Sequence, residues 1–417
     1  LQAPERHAAR DAAVVLRAGR PAPHGRAGAR VAQRQQVRLR ARVRERLLLE
    51  RGDHLDRLLP PVVNLVRLVD HDRHLLLLHL ELGLELLVHF AVHQLVAAHA
   101  VDLGLERAVL ALDLVVPLDG AVTTLTTLDI NSGGTLTQNK KVIAGTSLDY
   151  DAGGALSINE TIAATTTIDI DATGVTTIAE AGDITSSGAV TFGANKSGTL
   201  TTAGEITTTD DDVTFTNAVT QSGDVEIDTG SSGDILFSST VATGDNDLQL
   251  DAGSSGNITA ASSITGGGAM TVIDGAVQQY SGAISVDSLD IRDATSSVTL
   301  DGDVTTETTV DINSGGSLTQ NASVTAGTNL DYDSAGALNI NEEISATGTV
   351  DIDASGVTTI AEAGDITSGG AVSFGADKSG TLTTAGEITT TDDDVTFTNA
   401  VTQSGNVAID TGSSGDI

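Results

Sequence analysis

The residues best placed by type and spacing to do chemistry are carboxylates. Asp149-Tyr150-Asp151 recurs twenty residues on as Asp169-Ile170-Asp171, and Asp129 with Asn131 precedes them at the same interval. In a strand alternate side chains point to the same face, so stacked strands would set these groups in a ladder about 4.8 Å apart. Like charges at that spacing repel, and a hard cation with oxygen ligands would relieve them. Asp129, Asp149, Asp151, Asp169 and Asp171 are therefore the candidate metal ligands, and Ca²⁺ the candidate ion. Neither the EF-hand spacing nor a GGxGxD nonapeptide is present. A solvated acidic face that keeps a rod soluble is the favoured alternative.

Other catalytic chemistry finds little support. Asp210-Asp211-Asp212, repeated at Asp392-Asp393-Asp394, has the residue type of a glycosidase carboxylate pair, but it sits among Thr residues before a strand and reads as a charged turn. Residues 118–417 contain no His to activate a Ser or Thr nucleophile, and a single Arg, Arg292. An acidic surface would also repel polyanionic substrates. The expectation is a chain that is not an enzyme, with no certain cofactor.

The elements that would position the carboxylates follow from repetition. Leu118-Asp119-Gly120 returns as Leu300-Asp301-Gly302, and the offset of 182 then holds without a gap to Ile417, with 97 of 118 paired positions identical. Duplication on this scale suits a function that grows with length. Inside it, apolar pairs split by one polar residue begin at Leu128, Leu148, Ile168, Val190, Val213, Val225, Leu248, Met270, Leu289 and Val310. The steps run from 19 to 23 except for a step of 12 from Val213 to Val225, which reads as a partial coil or bulge. Period-two alternation describes half-buried strands. Further apolar markers follow at Leu136 and Val142, Leu156 and Ile162, and Ile178 and Ile184, the Ile178 marker displaced by two. Gly, Asn and Asp fill the spaces between, as turns require. Three strands and three turns in about 20 residues make one rung of a parallel β-helix, an all-β solenoid of about fifteen rungs. Small aliphatic residues fill a narrow column, which accounts for an aromatic content of 2%. An antiparallel sandwich array is the alternative pairing.

Composition divides the chain after Pro117. Residues 1–117 hold 17 basic and 13 acidic residues, all nine His and all six Pro, whereas 118–417 hold five basic and 43 acidic residues, a charge of −38. Of the first 117 residues, 115 have codons that can begin with C or G, the exceptions being Asn64 and Phe90. That is the signature of a GC-rich gene read in a wrong frame, so this Arg/Leu/His-rich part is expected to be mistranslated, chimaeric or poorly defined, and not a domain; a natural segment is the alternative. Its scattered His71, His74 and His79 lack the companions of a metal site. The Arg-rich start has no aromatic residue for base stacking, and the charge of the remainder argues against nucleic acid. No apolar run is long enough for a transmembrane segment. Zero Cys excludes disulfides and zinc thiolates.

Two strings, DVTFTNAVTQSGDVEIDTGSSGDILFSSTV and GALSINETIAATTTIDIDATGVTTI, resemble repeats of large bacterial exoproteins of the filamentous haemagglutinin-like and autotransporter type. The resemblance covers 118–417 only. It implies a right-handed parallel β-helix, secretion to the bacterial cell surface, and adhesion to a ligand on a host or neighbouring cell. With no signal peptide, capping secretion module or outer-membrane barrel, the chain reads as a fragment of such a protein. The leading expectation is a non-enzymatic shaft of an adhesin; a Ca²⁺-binding matrix or biofilm repeat protein and a polysaccharide-processing β-helix are the alternatives.

Overall fold

A computed structural model describes residues 101–103, 107–112 and 116–417. The reading of residues 1–117, with its histidines, therefore lies mostly outside the described residues. Strands Val101–Leu103, Arg107–Leu112 and Val116–Leu118 are described, and they pair in register with Val122–Thr124, Thr127–Ser132 and Leu136–Gln138.

The described chain is a β-solenoid in which the strand pairings are parallel, so the sandwich alternative is excluded. Each coil supplies one strand to each of three ladders. The first ladder runs through Val122–Thr124, Val142–Ala144, Ile162–Ala164 and Ile184–Ser186. The second runs through Thr127–Ser132, Leu148–Ala152, Ile168–Ala172 and Val190–Phe192. The third runs through Leu136–Gln138, Leu156–Ile158, Thr176–Ile178 and Leu200–Thr202, and continues to fifteen strands. The long strands Met270–Tyr280 and Leu289–Leu300 run on from the first ladder into the second.

The sequence builds this stack locally. Val, Ile and Thr favour a pleated backbone, and their alternation leaves one apolar face per strand. Leu128, Ile130, Leu148, Tyr150, Ile168 and Ile170 are all at most 1% exposed, and each buried aliphatic contributes about 2 kcal/mol. Between coils the backbone closes its own ladder: Leu128 N–H donates to Ser147 O, Leu148 N–H to Thr167 O and Ile168 N–H to Ala189 O, each at 2.9 Å. Phe192, Phe215 and Phe237 stack face to face with centroids 5.0 and 4.8 Å apart. The corners are tight enough to need glycine: a Cβ on Gly188 would collide with the Thr166 carbonyl of the coil before it. Among the described residues no helix is long and apolar enough to cross a membrane.

Two details of the sequence reading change. The Ile178 marker is not displaced; Thr176 occupies the inward position paired with Leu156, and Ile178 the next, paired with Ile158. Nor is there a partial coil between Val213 and Val225. Val213 continues the second ladder after Val190, whereas Val225 pairs with Leu248 in the first, and the strand Val219–Gln221 of the third lies between them. The step of 12 crosses two of the three strands of an ordinary coil.

Candidate functional site

The second ladder places the sequence-identified carboxylates as expected in register: Asp129 beside Asp149 and Asp149 beside Asp169, with Asn131, Asp151 and Asp171 in a parallel line. The alternation that sends Leu128, Ile130 and their successors inward turns these residues outward, where most are half-buried. Asp171 departs from this: it is 3% exposed, covered by the connection between Val190–Phe192 and Leu200–Thr202. In the preceding coils the corresponding connections span far fewer residues, so this one folds down over the ladder as a flap.

The flap is fastened along the rod axis. Lys196 Nζ reaches back two coils, pairing with the Asp151 carboxylate and donating to Ala152 O at 3.0 Å. Asn195 donates from its backbone N–H and from Nδ2 to the two oxygens of Asp171, at 3.1 and 2.7 Å. Asn217, one coil further on, donates from Nδ2 to Lys196 O at 2.6 Å. Four successive coils are thus joined by side chains in addition to the backbone ladder.

Crowding shifts the carboxyls that the flap does not satisfy. Burial, then the Asp171 and Asp149 charges, push Asp169 up to about 6. Burial, then Asp129 and Asp151, raise Asp149, against the opposing pull of Lys196. The duplicated ladder repeats this: Asp331 is pushed up to about 6 by burial and by Asp311 and Asp351, while Lys378 Nζ pairs with Asp333 at 3.1 Å. One substitution separates the two flaps. Asp377 stands where the first has Asn195, so only its backbone N–H serves Asp353, whose carboxyl is raised by burial and then by the charges of Asp351, Asp333 and, least, Asp377.

These side chains do not make a point-like metal centre. In-register pairing strings carboxylates along a line, and Lys196 and Asn195 already occupy Asp151 and Asp171. Among the described residues no group of three or more His, Cys, Asp or Glu side chains is arranged to hold a metal ion. What the arrangement does offer is a line of crowded carboxyls, in which a flap satisfies Asp151 and Asp171 while Asp169 beside them is pushed up to about 6. Sequence pattern alone gives Lys196 and Lys378 no role; the long gap from Phe192 to Leu200 is the signal that could have found them.

The other carboxylate candidates are turn residues. Asp210–Asp212 lie between strands Ile206–Thr208 and Val213–Phe215, with Asp210 in the left-handed region at φ 59°. Asp210 Oδ1 accepts from the Ser231 backbone N–H at 2.7 Å, and Asp212 Oδ1 from the Asp234 N–H at 2.9 Å. A shallow groove beside Glu180, Asp183, Glu205, Asp224 and Asp247 is lined by acids with no basic group among them. No family model, curated protein or solved structure matches the chain.

Proposed function

We propose that residues 118–417 form the non-enzymatic shaft of a secreted bacterial surface protein, an adhesin or exoprotein of the filamentous haemagglutinin-like or autotransporter type. The observation that carries this reading is the stack itself: fifteen coils with a duplicated sequence, about 70 Å of rod at one strand spacing per coil. The axial flaps at Lys196 and Lys378 suit an element that bears load along its length. Its ligand lies on a host or neighbouring cell, and its place is the cell surface. Expression in a bacterium, with protease shaving of intact cells and electron microscopy of the purified protein, tests the reading. Release of fragments by shaving, together with rods of the length the stack dictates, is expected; cytoplasmic retention or a globule would sink it.

A second reading draws on the raised carboxyls of Asp149, Asp169 and Asp331: an extracellular matrix component stiffened by Ca²⁺. Thermal melting with and without millimolar Ca²⁺ separates the two. An unchanged melting temperature removes the second reading and leaves the first.

A further inference from the structure

The two flaps are near-copies of one another. Gly193 to Leu200 repeats as Gly375 to Leu382 with a single difference, Asn195 against Asp377. The copy stands on another ladder: Asp171 belongs to the second, whereas Asp353, in Val350–Ala354, belongs to the first. The fastening is otherwise rebuilt. Lys378 Nζ pairs with Asp333, and Asn399 Nδ2 donates to Lys378 O at 2.5 Å. Gly380 N–H donates to Ala354 O at 2.9 Å, as Gly198 N–H does to Ala172 O at 3.0 Å.

The one exchange takes a donor away from a buried carboxylate. Asn195 satisfies both oxygens of Asp171, one through its backbone N–H and the other through Nδ2. Asp353 is buried in the same way, 2% exposed against 3% for Asp171. Its Oδ2 accepts the Asp377 N–H at 3.1 Å, whereas its Oδ1, closed to solvent, accepts no hydrogen bond. By the geometry of the first flap, that oxygen is the one facing the side chain of residue 377, and a carboxylate has no hydrogen to give it. The neighbouring acids are already engaged, Asp351 by Ser373 Oγ at 2.7 Å and Asp333 by Lys378. Two carboxylates, one buried and one exposed, therefore meet where the first flap pairs a carboxylate with an amide. Burying an ionised carboxyl is costly unless a donor or a positive charge meets it.

We infer that Asp353 and Asp377 bind a hard divalent cation, Ca²⁺, which fills in the second flap the place that the Asn195 amide fills in the first. Ca²⁺ takes oxygen ligands and accepts mixed sets of carboxylates and water. Asp353 Oδ1 supplies a ligand from beneath the flap and Asp377 one from its surface, where water completes the shell. A carboxylate must be ionised to hold a cation, and the Asp377 N–H opposes the upward push of burial on Asp353. Lys378 is turned to Asp333, and its charge limits the affinity. With two protein carboxylates and water for the remainder, the dissociation constant should lie at about 10⁻⁴–10⁻³ M. This pair is separate from the raised carboxyls of Asp149, Asp169 and Asp331 on which the Ca²⁺-stiffened reading draws, and it stands whether or not the rod is secreted.

The exchange is testable in both directions on the full chain. Calorimetric titration with CaCl₂ at pH 7 should find one saturable site on the parent and none on Asp377→Asn, which restores the amide of the first flap. Asn195→Asp, which copies the carboxylate of the second, should bind two. Thermal melting reads the same exchange independently. Millimolar Ca²⁺ should raise the melting temperature of the parent, and Asp377→Asn without Ca²⁺ should already match the parent with it. A variant that merely misfolded would melt lower instead. No binding by the parent would overturn the site, leaving a proton shared between the two carboxylates. Binding that survives Asp377→Asn would also overturn it, because the ions would then lie on the ladder, as the Ca²⁺-stiffened reading requires. Failure of Asn195→Asp to gain a site would show that the exchange does not create one. None of these results bears on the shaft reading.

Discussion

Neutralising the crowded carboxylates should stabilise the rod, and the pH window follows from their shifts. Asp169 and Asp331 ionise near 6 in the folded chain and near 3.8 when unfolded. Below 3.8 both states hold the proton and nothing is lost. As pH rises from 3.8 to 6 the unfolded chain releases its proton first, so stability falls, and above about 6.5 the full penalty is in place. A shift of that size corresponds to about 3 kcal/mol for a fully desolvated group. Both side chains keep access to solvent, Asp331 more than Asp169, so solvent screening reduces these to about 0.7 and 1.5 kcal/mol, or about 2 together. Asp210 and Asp392, whose carboxyls are lowered by hydrogen bonds from Ser231 and Ser413, lose their contribution only below this window. Urea unfolding followed by circular dichroism at pH 4, 5, 6 and 7 measures the trend. Relief of overall negative charge would act in the same direction, so the discriminating variant is Asp169→Asn/Asp331→Asn. At pH 7 it should be more stable than the parent by about 2 kcal/mol, the screened sum, and show a flatter dependence between pH 4 and 6. A double variant with the parent's slope, or a parent that gains stability between pH 4 and 6, would refute the ladder's role.

Lys196→Met removes the ion pair to Asp151 and the bond to Ala152 O; about 1 kcal/mol should be lost, and the Asp149 carboxyl should titrate higher by NMR, because Lys196 pulls it down. Gly188→Ala drives a methyl group into the Thr166 carbonyl and should cost about 2–4 kcal/mol, whereas Gly275→Ala meets only side-chain atoms of Gln278 and Ile258, none nearer than 3.2 Å, and should cost under about 1 kcal/mol; paired denaturation curves decide. At Asp210, alanine loses the Ser231 contacts and keeps a disfavoured left-handed backbone, while glycine loses only the contacts, so the melting temperature should fall further for Asp210→Ala than for Asp210→Gly.

Much of the fold was legible because two periods were superimposed in the sequence. The alternation at Leu148-Asp149-Tyr150 marks a strand with one buried face, and its return at Ile168-Asp169-Ile170 marks the coil. Carboxylate register followed from both. Ladder identity was hidden, because Val213 and Val225 head pairs of the same kind although one lies in the second ladder and the other in the first. Thr176 was passed over for a related reason: a Thr in an inward position is indistinguishable by pattern from an outward one. The flap's fastening was out of reach because Asp151, Asp171, Lys196 and Asn217 belong to four different coils, and no local pattern joins them.

The concealment of ladder identity has a physical cause that also explains how the duplication was tolerated. In a solenoid each coil touches only its neighbours, so stability is a sum of local stacking terms. A strand needs a parallel partner on either side and an apolar residue facing the column, and nothing in that requirement names a face. Leu128 packs in the second ladder and its counterpart Val310 in the first, each at most 1% exposed. Gln138 is fully buried in the third ladder, donating to Lys140 O and Glu160 O; Gln320 is fully buried in the second, donating to Ala322 O and Glu342 O. Since the three faces accept the same strands, an inserted segment need not match a whole coil; a multiple of one strand suffices, provided the flanking strands find partners. Such a rod lengthens in steps of a third of a coil, and every step short of a whole coil turns its surface to a new side. A face-specific binding surface along the shaft would be scrambled by each duplication, whereas support at a distance would be preserved.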